Sequence, residues 1–114
     1  MSAVYKIASR SDWEAALTRG RYDGSADDVR DGFIHLSTAA QAAETARKYF
    51  AGRPDLVLVR VESEALGPAL RWEPSRGGAL FPHLYAPLPT ALALEARDLR
   101  LGPDGIPQLG ELLP

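Results

Sequence analysis

Apolar and polar positions alternate in short runs along the chain, and the period changes from two to 3.6 and back. Residues 4–8, VYKIA, form a first β-type run that Ser9 stops. Ser11 and Glu14 have the Ser-x-x-Glu spacing of a capping box, which predicts a helix from Asp12. Its apolar face would be Trp13, Ala16 and Leu17, and Gly20 would end it. Residues 20–31, GRYDGSADDVRD, are polar and turn-rich and read as a long surface loop that could cover a site. Residues 32–36 form a second strand. A helix follows over residues 38–50, with Ala39, Ala42, Ala43, Ala46, Tyr49 and Phe50 in a 3.6 period. LVLVRV, residues 56–61, is apolar almost without break, as in a central strand covered on both faces.

Residues 70–73 predict another short strand, followed by a mobile PSRGG loop and then LFPHLY. Residues 91–99 alternate like a half-buried antiparallel strand, and residues 102–114 read as irregular coil. With 114 residues, no internal repeat and no linker, the pattern predicts one α+β domain with two helices in its N-terminal half and a core over residues 4–99.

Composition narrows the function classes. The formal net charge is −2 and the 13 basic residues are scattered, which argues against a nucleic-acid partner. The absence of cysteine removes disulfides, thiol nucleophiles and thiolate metal sites. No run approaches the length of a membrane span, and the opening residues lack the apolar core of a secretory signal. A cytoplasmic protein, monomeric by preference, is the expectation.

The two histidines sit in matching contexts, DGFIHLS and FPHLY. Side chains at i, i+2 and i+4 of a strand share a face. Phe33, His35 and Ser37 would therefore oppose Ile34 and Leu36, while Phe81, His83 and Tyr85 oppose Leu80 and Leu84. If the two aromatic and polar faces meet, they line a cleft suited to a small molecule. If they do not, each histidine is a hydrogen-bonded structural residue. Pro82 denies the ladder a bond, so that strand should be an edge or interrupted there, leaving His83 accessible.

Around this pair other groups offer chemistry. Ser37 and Thr38 at a helix start could bind a phosphate or simply cap the helix. Arg71 and Glu73 of RWE would share a strand face. Glu73 could be a general base, a ribose acceptor or a surface ion-pair partner, and Trp72 a core or a stacking residue. A metal site would need His35, His83 and Glu73 or Asp31, without the support of an HxH or HxxxE spacing. A Ser37–His35 nucleophile pair lacks both a nucleophile elbow and an evident orienting aspartate.

GFIHLS, RWE and FPHLY in this order, with VYKI and Trp13, resemble a small bacterial family, the domain-of-unknown-function family 952, over residues 4–99. Through that family the chain resembles the ADP-ribosyltransferase-like superfamily. The resemblance implies a split, strongly bent antiparallel sheet with a nicotinamide-dinucleotide cleft between its halves, and NAD as a substrate. It implies that His35 holds a ribose, that Tyr85 or His83 orients a ring, and that Glu73 or Glu95 stabilises a cationic transition state. The two histidines with Arg71 or Arg76 are also similar to the set of RNA 2′-phosphotransferases, which would make an RNA end the exceptional nucleic-acid partner. The reading that follows has His35, Glu73 and His83 as catalytic residues, with Phe33, Ser37, Thr38, Arg71, Phe81 and Tyr85 binding a nucleotide-like ligand. The alternatives are a non-catalytic binding domain and a metal-dependent enzyme.

Overall fold

A computed structural model describes residues 2–110, 112 and 113, without the side chain of Arg76. The elements run β1 (Ala3–Ser9), α1 (Arg10–Arg19), β2 (Arg21–Tyr22), α2 (Ala26–Asp31), β3 (Ile34–His35), β4 (Ser37–Thr38), α3 (Ala39–Tyr49), β5 (Leu56–Glu62), β6 (Leu70–Pro74), β7 (Leu80–Leu84), β8 (Leu88–Pro89) and β9 (Glu95–Leu99). All strand pairs are antiparallel. They form a four-stranded sheet of order β4-β1-β5-β9, a three-stranded sheet of order β3-β7-β6, and the pair β2-β8. The architecture is α+β. No helix among the described residues is long and apolar enough to cross a membrane.

The unbroken apolar run of β5 has the expected cause. Val57, Val59 and Val61 enter a core with Trp13, Tyr22, Ile34, Leu36, Leu84 and Leu88. Leu56 and Leu58 point the other way, onto Tyr5, Ile7 and the fully buried Ala42 and Ala46 of α3. Two small residues one turn apart let that helix lie close against the sheet. The tail folds back irregularly, with Leu109 buried in this second core.

Several expectations need correction. The first helix starts at Arg10, because Ser9 is its N-cap and accepts from the Asp12 N–H; Leu17 stays 54% exposed. The predicted loop over residues 20–31 holds β2 and a third helix, α2, closed by a capping box between Ser25 and Asp28. Residues 32–36 are not one strand: His35 belongs to the three-stranded sheet, and the chain crosses at Leu36 so that Ser37 pairs with Tyr5 of the four-stranded sheet. The PSRGG segment is a closed turn, with Ser75 N–H bonded to Ala79 O and Gly78 N–H to Ser75 O. A 3₁₀ turn over Thr90–Leu92 delays the last strand to Glu95.

Pro82 does not mark an edge, since β7 is the middle strand of its sheet. The interruption is local. Leu36 N–H donates to Pro82 O, but the reciprocal bond would need a proline N–H. At that residue the chain leaves for the other sheet.

Candidate functional site

The crossing at Leu36 opens a gap. Strand β4 pairs only with Val4 and Tyr5, so on the side away from β5 no described strand lies beside β1 from Lys6 onward. A cavity of about 320 Å³ occupies this place, lined by β1, α2, α3 and the histidine strands.

The two histidine-bearing faces do meet. His35 and His83 are directly paired across β3 and β7, and their ring centroids lie 5.7 Å apart. The Phe33 ring stacks on His83 at 4.0 Å and stands 4.6 Å from His35 and 5.2 Å from Tyr85. Ile34, Leu36 and Leu84 are in the core, as the alternation requires. His83, however, is buried, at 6% exposure, and is not the accessible residue expected from Pro82. The Phe33 ring stacks over it and the His35 ring meets it edge-on.

Each imidazole is anchored through Nδ1 to a carboxylate. His35 Nδ1 donates to Asp28 Oδ1 at 2.6 Å, and His83 Nδ1 to Glu73 Oε1 at 2.8 Å. Such a bond sets the tautomer and presents Nε2 for other work. His35 Nε2 faces Asp31 Oδ2 at 3.0 Å. The Tyr85 hydroxyl donates to the same Glu73 oxygen at 2.7 Å, and the Arg71 guanidinium lies over the Tyr85 ring at 4.8 Å. The Tyr85 and His83 bonds hold the Glu73 carboxyl below the usual range, and Glu73 in turn pushes the Tyr85 phenol up.

Beneath His35 lies a buried ion cluster. Asp28, 2% exposed, accepts from His35 N, from Ser25 N and from Lys6 Nζ, the last at 2.8 Å. Lys6, also buried, donates to His35 O as well. Burial alone would raise the Asp28 carboxyl, but the His35 bond and the Lys6 cation outweigh it and hold it far below the ordinary value. Burial pulls the Lys6 ammonium down, with Asp28 opposing.

The remaining predicted residues divide. Phe81 and Ser37 line the cavity, and Ser37 Oγ bonds Thr45 Oγ1. Thr38 caps α3 reciprocally with Gln41. Arg71, Glu73 and Tyr85 form a group behind His83 and do not line the cavity. Trp72, on the opposite face of β6, is 42% exposed and not a core residue. Glu95 lies on β9, ion-paired with Arg60 and Arg97, away from the histidines. The Arg76 side chain lies outside the described residues. No group of three His, Cys, Asp or Glu with metal-holding geometry occurs among the described residues.

Lys6, Asp28 and Tyr5 escaped the sequence reading. Two signals were present. Lys6 shares a strand face with Val4 and Ala8, a charge where the alternation demands core. Ser25-x-x-Asp28 has capping spacing inside the supposed loop.

Comparison with known proteins gives one consistent answer. The crystal structure of CC0527 from Caulobacter crescentus is similar at 55% identity, 97% coverage of both chains and a TM-score of 0.95. Its solution structure is similar at 56% identity, covering 99% of this chain and 97% of that one, with a TM-score of 0.89. No curated protein matches. Residues 7–96 match the family described as "Protein of unknown function (DUF952)", and the chain belongs to that family.

Proposed function

We propose that the cavity binds a nucleotide-like ligand such as NAD in the cytoplasm, and that His35 and His83 exchange protons with it. The carrying observation is the histidine pair: two imidazoles 5.7 Å apart, each held at Nδ1 by a carboxylate, beside one cavity. A tautomer fixed through Nδ1 reserves Nε2 for proton exchange, which in His35 takes place once a ligand displaces Asp31. Two antiparallel sheets that separate where the cavity lies support an ADP-ribosyltransferase-like layout. A volume of about 320 Å³ is within the usual range for small-molecule sites, about 300–1,000 Å³.

One observation favours a second reading, a binding domain without catalysis. His83 is 6% exposed, and both His35 nitrogens face carboxylates, so the imidazoles are already bonded. Thermal-shift titration with NAD and ADP-ribose, with release of nicotinamide followed in parallel, separates the two. Catalysis predicts turnover that falls at least about 100-fold in His35→Ala and His83→Ala. A histidine-dependent shift without turnover leaves the binding domain. The absence of any nucleotide response sinks both.

A further inference from the structure

Four buried side-chain polar atoms among the described residues lack a hydrogen-bond partner: Tyr5 Oη, Tyr22 Oη, Arg60 Nε and Glu62 Oε2. Only Tyr5 also lines the cavity. A buried hydroxyl left unpaired destabilises the fold, so its retention calls for an explanation. Phenylalanine would fill the same space without that cost. A ligand atom that completes the bond when bound would supply the reason.

The charge of the cavity restricts what that ligand can be. Its lining carries two cations, Lys6 and Arg30, against three carboxylates, Asp27, Asp28 and Asp31. Lys6 is spent on Asp28, and Arg30 is spent on Asp27 and Asp31. Among the described side chains of the lining, no Lys or Arg is left without a carboxylate partner, and the Lys, Arg and Asp charges there sum to a negative one, which disfavours an anion. Asp28 is filled by its own four donors, but each carboxylate oxygen has two lone pairs, and those of the part-exposed Asp31 can also accept from a sugar hydroxyl. The volume is at the small end of the range for ligand sites.

Resting on the nucleotide-like reading above, we infer that the cavity recognises the nucleoside portion of its ligand, with Tyr5 Oη bonding the ring. Phosphate groups stay outside and add no affinity. The ligand class is thus an uncharged or cationic ring glycoside, free or as the end of a larger molecule.

The test pairs adenosine, cytidine and nicotinamide riboside with their own 5′-monophosphates, in titrations of the full chain and of Tyr5→Phe. At least one nucleoside should bind as tightly as its monophosphate or more tightly. In Tyr5→Phe that affinity should drop about three- to tenfold, the worth of one neutral hydrogen bond, while the unliganded variant melts no lower than the parent. A monophosphate that binds threefold or more tighter than its nucleoside overturns the inference. So does unchanged nucleoside affinity in Tyr5→Phe. NAD binding without any nucleoside response also overturns it, yet leaves the proposed NAD function standing. A Tyr5-dependent nucleoside response in a protein that releases no nicotinamide supports the inference and removes the catalytic reading.

Discussion

At the scale of single residues, Asp28 shows how a side chain can hold a site together from below. It takes four bonds, two from His35 and one each from Lys6 and Ser25. Asp28→Ala would leave the Lys6 ammonium buried and unpaired, at a cost of about 3–5 kcal/mol. Urea denaturation should show this as a lower midpoint at unchanged slope. Lys6→Met combined with Asp28→Asn should cost less than the sum of the two single changes, because the pair is removed as a unit. The sign of the pH effect follows from the lowered Asp28 carboxyl. Its stabilisation is complete above the unfolded aspartate value, about 3.9, and is lost as pH falls through the lower folded value. Stability measured from pH 7 down to pH 3 should therefore fall less steeply in Asp28→Asn.

At the scale of elements, caps and crossings decide what periodicity cannot. Thr38→Ala removes one arm of the α3 capping box and should cost about 1 kcal/mol of stability. If Thr38 serves only as a cap, ligand affinity measured in the same variant will not change. Gly24 holds α2 in place from outside: its φ is +108°, and a Cβ there would stand 2.7 Å from the Asp28 Cβ. Gly24→Ala should therefore displace Asp28 and weaken its bond to His35 Nδ1, which ¹⁵N chemical shifts of the imidazole report. Helix α3 was legible in the sequence because eleven residues show a 3.6 period with its small residues turned inward. Helix α2 was not, since six residues of which four are charged show no apolar face. The strand at GFIHLS was half legible. Alternation correctly placed Ile34 and Leu36 in the core and Phe33 beside His35. The switch of sheets at Leu36 was invisible, because it is set by Tyr5 and Pro82, which lie far away in sequence. For the same reason the pairing of His35 with His83 was readable as a likeness of two motifs, whereas the Asp28 beneath them was hidden in a polar stretch.

At the scale of the whole molecule, β1 and β5 carry side chains into both cores. Leu58 serves the core under α3, and Leu84 the core under the histidine pair. Truncating either to alanine should cost about 2–5 kcal/mol, and the two variants should unfold in the same single transition, followed by far-UV circular dichroism and by imidazole resonances. Separate transitions would mean that the site can melt while the four-stranded sheet stands. The two tryptophans divide the same way: Trp13 is 4% exposed in the core, and Trp72 stands in solvent on the strand that carries Glu73. The chain therefore contains its own pair of optical probes. Emission from Trp13 tracks global melting. Quenching of Trp72 by a dissolved quencher tracks the strand behind His83, with no label attached.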